Sequence, residues 1–255
     1  MGFVMGSNLA SVTPNGSNQL RRTNHQLTNT HRLSMNTWLM RCLGAAWQAR
    51  LTDFPPLPNL EVSSFGVIPK WGQVGKWRLI VDLSSPTGSS VNDGIDPEKF
   101  TLHYITVDQV IHLVSQFETG ALMAKFDVEA TYRNVPVHPS GRSWLGMKWH
   151  NRYYVDLTPP FGLLSAPFIF NAIADMVAWI LVYPYQISTL LHYLDDFPSA
   201  GPPDSPQHAH NLCTALTVCK RLGLPLHPGK CEGKATVFVI LGIELDLVNQ
   251  VAAWQ

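Results

Sequence analysis

The first 52 residues contain neither aspartate nor glutamate, although they include five arginines. Their net charge is therefore +5, and the remaining 13 basic and 18 acidic side chains bring the whole chain to neutrality. An acid-free segment of this kind can bind a phosphate backbone, and its Asn, Ser and Thr content is also typical of a solvated tail. It resembles an organelle transit peptide as well. Among these alternatives we expect a disordered basic arm over residues 1–35.

Long apolar runs and paired cysteines are also lacking. The longest apolar candidate, near residues 176–182, falls short of the roughly 18 residues that cross a bilayer. The N-terminus lacks the charged head and apolar core of a secretory signal. The four cysteines show no paired spacing, which disfavours a disulfide framework and a zinc site around His208, His210 and Cys213. We therefore expect an intracellular protein, in the cytoplasm or the nucleus.

The composition that remains is typical of a folded protein. Hydrophobic residues make up 45% of the chain and charged residues 14%, as in folded proteins. A length of 255 residues suffices for one large domain or two small ones. Strand and helix patterns alternate irregularly with hairpins, which favours an α+β fold with an antiparallel sheet backed by helices. Strands are predicted over 62–69, 77–82, 122–127, 143–149, 152–157 and within 236–246. Helices are predicted within 36–51 and starting at Thr106, Pro167 and Pro206. The apolar face of the helix that starts at Pro206 is predicted to contain Ala209, Leu212, Cys213, Leu216 and Cys219.

Two adjacent carboxylates, Asp195 and Asp196, lie between the apolar run 188–191 and Phe197. This pattern predicts a tight hairpin with the acids at its tip. A third acid, Asp127, ends the apolar stretch 121–126. Because neighbouring carboxylates repel each other, three of them at strand ends favour a cation site, and their oxygens suit a pair of Mg²⁺ ions. Without the other acid, the Asp-Asp pair would indicate only a polar turn.

Six sequence boxes, found in order between about residues 56 and 247, resemble those of reverse transcriptases. Tyr193-Leu194-Asp195-Asp196 is similar to the Y-x-D-D signature of that family, and the segment 160–167 is similar to its P-F-G-x-x-x-A-P box. The other four boxes are 76–82, 125–132, 227–231 and 241–244. Residues 81–86 and 90–95 resemble most the enzymes of DIRS-like retrotransposons, which combine a reverse transcriptase with a tyrosine recombinase.

The resemblance implies a right-hand polymerase domain over residues 36–255. Fingers are expected over about 54–119 and a palm over about 120–255, with no complete thumb. The implied reaction is the addition of deoxynucleotides, from their triphosphates, to a primer 3′-OH on an RNA or DNA template. Two Mg²⁺ ions would be the cofactors, with Mn²⁺ as an alternative.

The same resemblance implies catalytic and metal-binding roles for individual residues. Asp127 and Asp195 match the acids that hold the metal ions, and Asp196 matches the acid that supports them. The main-chain carbonyl of Val128 could complete the octahedral oxygen coordination that Mg²⁺ prefers. Lys230 matches a lysine proposed to protonate pyrophosphate, although its position would also suit a solvated loop.

The boxes also imply contacts with the nucleotide and the primer. Tyr132 matches an aromatic residue that excludes a ribose 2′-OH sterically, with a buried core tyrosine as the alternative. Leu164 departs from the family pattern, because that position often carries Arg or Lys. The nucleotide contacts expected are Lys70, Arg78, Tyr132, Phe161 and Gly162, and the primer contacts expected are Leu241 and Gly242.

Two rival interpretations remain beside a polymerase core. One is a truncated or repurposed relative that binds nucleic acid with little or no polymerase activity, because a thumb, an RNase H domain and a recombinase are expected to be absent from this chain. The other is a metal phosphohydrolase with a chance Asp-Asp pair, which does not explain six ordered boxes. The intact acids favour the polymerase.

Overall fold

The computed structural model of the chain describes residues 4–5, 53–69, 77–149, 151–203 and 205–254. The predictions for the N-terminal arm and for a helix within 36–51 fall almost entirely outside these residues, as does the loop 70–76. In chain order the strands are β1 Val4–Met5, β2 Ser64–Pro69, β3 Trp77–Asp82, β4 Leu122–Asp127, β5 Gly146–Trp149, β6 Arg152–Val155, β7 Asp196–Gly201, β8 Glu232–Ala235, β9 Val237–Ile240, β10 Ile243–Asp246 and β11 Val251–Trp254. The helices are α1 Val107–Ser115, α2 Ala166–Val182 and α3 Pro206–Arg221.

The chain divides into two compact units that alternate along the sequence. The first unit comprises Met1–Ser11, Leu102–Thr131 and Phe170–Gln255, and the second comprises Val12–Thr101 and Tyr132–Ile169. The division into fingers over 54–119 and palm over 120–255 stays a prediction. Within each unit antiparallel pairing dominates, as the predicted α+β class requires.

The first unit is built on a three-stranded antiparallel sheet in the order β7-β4-β8. The central strand β4 has the predicted bounds, and it is apolar on both faces except for Lys125 and the terminal Asp127. Helices α1 and α3 pack against this sheet. The edge strand β8 was not predicted, because its sequence Glu-Gly-Lys-Ala lacks the β-branched or aromatic residues that indicate a strand.

A second sheet in this unit has the order β1-β11-β10-β9, with antiparallel pairs except that β1 is parallel to β11. The predicted segment 236–246 supplies β9 and β10, whereas β11 was not predicted. The apolar faces of α1, β4 and this sheet pack together in one core. Its fully buried members include Val110, Met123, Phe238, Ile240 and Leu245.

Two of the predicted helices are confirmed closely. Thr106 caps α1 with a complete capping box, in which its hydroxyl accepts from Gln109 N–H and the Gln109 side chain accepts from Thr106 N–H. Helix α2 begins one residue before the predicted Pro167 and ends before Pro184. No helix in the described ranges is both long and apolar enough to cross a membrane.

The apolar face predicted for α3 is confirmed in part. Cys219 is buried and Leu212 and Leu216 are half-buried as predicted, whereas Ala209 and Cys213 are exposed. The other buried side chains are His208, Ala215 and Val218. The buried positions follow a helical period, as predicted, but the buried face is rotated from the predicted one. The reason is that a hydrophobicity pattern treats His208 as polar, although it lies on the buried face. Burial lowers the pKa of His208, which favours the neutral imidazole. The same placement separates His208 from Cys213 and argues against the zinc site.

The second unit contains two antiparallel hairpins, β2-β3 and β5-β6. The first confirms the predicted pairing, with Ser64 opposite Asp82 and Pro69 opposite Trp77. The second is shorter than predicted, because the segment Pro139–Trp144 forms a 3₁₀ helix and β5 begins only at Gly146. Strand β6 also ends at Val155 rather than at residue 157. Val81, Leu83, Leu145, Met147 and Tyr154 form the core of this unit.

Candidate active site

The Tyr193–Asp196 segment forms the predicted tight hairpin. Tyr193 and Asp196 exchange main-chain hydrogen bonds of 2.8 and 3.0 Å, so that Leu194 and Asp195 make a two-residue turn. Leu194 has a φ of 52°, which is a costly conformation for a bulky side chain. The ring of Tyr193 packs on that of Tyr104 at 4.7 Å between centroids. Asp195 therefore lies at the tip of the hairpin, and Asp196 begins β7.

Sheet pairing brings the third acid to the same place. Asp127, the last residue of β4, lies directly opposite Asp196 in the antiparallel ladder. One residue further in, the rings of Phe126 and Phe197 stack at 4.6 Å with an interplanar angle of 8°. The N–H of Val128 donates to the carbonyl of Asp195 at 2.9 Å, which fixes the chain after β4 to the hairpin tip. The three acids thus share one end of the sheet.

Burial perturbs the protonation of two of these acids, Asp196 and Asp127. Burial raises the pKa of Asp196 to about 6, and the negative charges of Asp127 and Asp195 add to this effect against the attraction of Lys125. Burial also raises the pKa of Asp127, whose side chain is only 6% exposed, and it outweighs the stabilising ammonium of Lys230. Opposed carboxylates on neighbouring strands are destabilising unless a cation lies between them. The site therefore favours the binding of positive charge.

Lys230 supplies such a charge. Its Nζ donates to Asp127 Oδ2 at 2.7 Å across 103 residues of sequence. The lysine ends a short 3₁₀ helix, Pro228–Lys230, which is anchored by the His227 N–H donating to the carbonyl of Asp127 at 2.9 Å. Burial works to lower the pKa of Lys230, but the hydrogen bond and attraction of Asp127 outweigh it and the pKa is raised. Lys230 is therefore held in its charged form.

Thr131 is a member of this site that sequence reasoning missed. Its hydroxyl donates to Asp195 Oδ2 at 2.7 Å, and its side chain is buried. The residue precedes Tyr132 in the box that carries Asp127, so its proximity in sequence was a usable signal. Ala130, just before it, has a φ of 58°, which marks the sharp reversal that turns Thr131 back toward the hairpin.

The donor set fits a hard divalent cation in its chemistry, since three carboxylates and nearby main-chain carbonyls offer oxygen ligands. Nevertheless, within the described ranges no three His, Cys, Asp or Glu side chains converge closely enough to hold a metal ion. Two of these carboxylates have partners within the protein, because Oδ2 of Asp127 accepts from Lys230 and Oδ2 of Asp195 accepts from Thr131.

The second unit brings together three of the expected nucleotide contacts. The rings of Tyr132 and Phe161 lie 5.2 Å apart at an angle of 56°. Gly162 follows with a φ of 114°, and a Cβ there would lie 2.2 Å from the carbonyl oxygen of Val81. Only glycine tolerates this close approach. The N–H of Val81 also donates to the carbonyl of Phe161 at 3.2 Å, so strand β3 supports this loop directly.

Beside Tyr132 lies a buried ion pair that the sequence did not reveal. The Arg133 guanidinium is paired with the carboxylate of Asp156, and the two side chains are 9% and 5% exposed. Arg133 also donates to Thr158 Oγ1 at 3.1 Å. Because Arg133 and Tyr132 belong to the same 3₁₀ turn, Thr131–Asn134, the pair holds the backbone that carries the Tyr132 ring.

The remaining predicted contacts are placed less completely. Leu241 and Gly242 form the two-residue turn between β9 and β10 in the first unit, with φ values of 52° and 77°. Arg78 lies in β3 opposite Ile68, but its side chain is outside the described part of the chain, and Lys70 lies outside it entirely. Leu164 is exposed.

Solved structures share this architecture. A foamy viral protease-reverse transcriptase in complex with dsDNA superposes on 87% of the chain with a TM-score of 0.60 and 15% identity, and the match covers 41% of that chain. The foamy viral protease-reverse transcriptase in complex with RNA/DNA hybrid gives a TM-score of 0.61 over 88% of the chain at 16% identity, and 27% of that chain is covered. At such identities the likeness shows the fold alone.

Sequence relatives are viral polyproteins. Polyprotein P3 of Commelina yellow mottle virus is 26% identical over 171 residues, which is 67% of this chain and 8% of that protein. The genome polyprotein of Petunia vein clearing virus (isolate Shepherd) is 25% identical over 122 residues, which is 48% of this chain and 5% of the polyprotein. The chain thus spans less than a tenth of the length of these curated relatives.

The fold is that of the fingers and palm of right-hand polymerases, as predicted. More specifically, the family model of the reverse transcriptase (RNA-dependent DNA polymerase) matches residues 22–245, which is most of the chain. The chain belongs to that family.

Proposed function

We propose that this chain is the catalytic core of an RNA-directed DNA polymerase, which adds deoxynucleotides to a primer 3′-OH. The observation that carries the proposal is the meeting of Asp127, Asp195 and Asp196 at one end of the β4-β7 ladder, in a chain of the reverse transcriptase family. The raised pKa of Asp196, about 6, is typical of a site built for function rather than for stability.

Asp127 and Asp195 would hold two Mg²⁺ ions, with Asp196 and the carbonyl of Val128 in support and Mn²⁺ as an alternative metal. When bound, the metal would lower the pKa of the primer hydroxyl and neutralise negative charge on the triphosphate. Lys230 is already charged and anchored on Asp127, so release of that bond would free an ammonium group for the phosphate oxygens. Its Nζ can then donate a proton to the leaving pyrophosphate.

The second unit would select the nucleotide. The Tyr132 ring, braced by Phe161, contacts the sugar and excludes a 2′-OH, and Gly162 allows the backbone to approach the nucleotide. Arg78 and Lys70 would bind the triphosphate, for which a guanidinium offers bidentate hydrogen bonds. The Leu241-Gly242 turn would contact the primer end.

The partners would be a primed RNA or DNA template and deoxynucleoside triphosphates, as the nucleic acids bound to the foamy viral enzymes suggest. Residues 81–86 and 90–95 support an origin in a retrotransposon of the DIRS-like group. The rival function is a nucleic-acid-binding relative without polymerase activity. It is favoured by one observation, namely that Lys230 and Thr131 already hydrogen-bond to Asp127 and Asp195.

Primer extension on an RNA template separates these functions. The parent should extend the primer with Mg²⁺ and stop with EDTA, and Asp195→Asn should reduce extension by orders of magnitude, because one missing carboxylate unbalances the metal site. The matched control is Asp108→Asn, which makes the same change at an exposed position in the first turn of α1. Activity of Asp195→Asn within a few-fold of the parent would refute the metal-site assignment. A parent that binds the primed template without extending it would favour the rival.

A further inference from the structure

The segment 90–95 resembles a retrotransposon motif, and the resemblance implies no chemical role for its residues. In the structure it contains the short 3₁₀ turn Asn92–Gly94, which follows β3. We propose that Asn92 is a positioning residue for the loop Pro160–Leu164, which carries the nucleotide contacts Phe161 and Gly162. The inference rests on the proposed polymerase function, which it deepens by adding a determinant of nucleotide selection.

The amide of Asn92 grips the loop at two points. Its Nδ2 donates to the carbonyl of Gly162 at 2.8 Å, and its Oδ1 accepts from the N–H of Leu164 at 2.9 Å. A single side chain thus satisfies a main-chain acceptor and a main-chain donor two residues apart, across about 70 residues of sequence. A carboxamide offers both a donor and an acceptor on one planar group.

The clamp is itself held rigidly. Nδ2 of Asn92 also donates to Ser84 Oγ at 2.8 Å, and its main-chain N–H donates to the carbonyl of Leu83 at 2.9 Å. The neighbouring Asp93 closes the intervening loop, because its Oδ2 accepts from Gly88 N–H at 2.7 Å and from the Ser90 hydroxyl at 2.6 Å. The orientation of the Asn92 amide is therefore fixed by contacts that do not involve the loop 160–164.

These contacts decide where Phe161 can lie. Val81 fixes the Phe161 carbonyl, Asn92 fixes the next two peptide groups, and Gly162 has no space for a side chain. The Phe161 ring is consequently delivered to Tyr132 from a loop with few alternative conformations. If the Asn92 contacts are lost, the loop gains freedom, and a nucleotide that depends on Phe161 and Gly162 must order it on binding.

The kinetic test compares Asn92→Ala and Asn92→Asp with the control Thr87→Ala, which changes an exposed side chain of the same segment. The alanine variant loses both loop contacts, and the aspartate variant keeps an acceptor for Leu164 N–H but sets a carboxylate against the Gly162 carbonyl. Both should raise the KM for deoxynucleotide about ten-fold or more, with a smaller change in kcat. Both should also raise the fraction of ribonucleotide incorporated. Thr87→Ala keeps every Asn92 contact and should leave these values near those of the parent.

A second measurement does not depend on activity. Hydrogen exchange of the Leu164 amide should be about ten-fold faster or more in Asn92→Ala than in the parent, and close to parental in Thr87→Ala. Measurements are made below the unfolding temperature of each variant, as determined by circular dichroism. If the parent does not extend primers, the polymerase proposal fails and the exchange rate still decides whether the clamp exists. Unchanged exchange in Asn92→Ala, or faster exchange with an unchanged KM, would overturn the inference.

Discussion

The buried ion pair between Arg133 and Asp156 gives the sharpest prediction about stability. Both side chains are less than a tenth exposed, so neither charge can be compensated by water when its partner is removed. Asp156→Ala deprives the guanidinium of this carboxylate and leaves it in a poorly solvated position with Thr158 Oγ1 as a neutral partner. Breaking a buried pair in this way costs about 3–5 kcal/mol. That is a large part of the 5–15 kcal/mol that stabilises an ordinary domain.

The assay is urea denaturation followed by tryptophan fluorescence and circular dichroism. With an m-value of about 3 kcal/mol/M, the predicted loss corresponds to a midpoint lower by about 1 M or more. The control is Asp96→Asn, which breaks an ion pair with Lys99 whose side chains are 46% and 76% exposed. An exposed pair of this kind contributes less than about 1 kcal/mol, and asparagine keeps the N-cap of the following 3₁₀ turn. Equal effects of the two substitutions would show that burial of Arg133 and Asp156 does not govern their energetics.

Two further predictions concern the candidate active site. Tyr132→Val should raise ribonucleotide incorporation relative to deoxynucleotide incorporation, because the steric barrier to a 2′-OH is removed. The control Tyr153→Val should leave this ratio unchanged. An unchanged ratio for Tyr132→Val in competition assays would assign Tyr132 to the core. Asp196→Asn should stabilise the metal-free protein at about pH 8 by about 2–3 kcal/mol and hardly change it at about pH 3. The reason is that the folded pKa of about 6 lies above the ordinary 3.8, so the native state keeps a proton that the unfolded state releases, and stability falls as pH rises through that window. Urea midpoints in EDTA at both pH values measure this, and an equal shift at both would contradict it.

The elements around the acids could be predicted because their signals are local. An apolar stretch that ends in Asp127 and an Asp-Asp pair beside Phe197 are contained within a few residues, and they predicted the strand β4 and the hairpin that leads into β7. The capping box at Thr106 and the proline after α2 are local in the same way. The family boxes added the expected roles of Tyr132, Lys230 and the Pro-Phe-Gly loop.

Periodicity alone did not determine which face of a helix is buried. Helix α3 has few large apolar residues, so its hydrophobic pattern indicates the period better than the phase. The predicted buried face includes Cys213, which is exposed, and omits His208, which is buried. The strand β8 carried no pattern at all, since an edge strand gains its order from pairing with β4 rather than from its own side chains.

Tertiary structure decided the partners that complete the site. Lys230 meets Asp127 across 103 residues, Asn92 meets Gly162 across 70, and Arg133 meets Asp156 across 23. Hydrogen bonds and ion pairs of this range depend on how strands and turns are brought together, and no spacing within one segment reports them. The sequence by itself therefore determined the chemistry available to this protein, namely three carboxylates and a tyrosine on predictable elements. The fold alone determined which of these groups are charged, which are held in place and by what, because burial and long-range contacts set both.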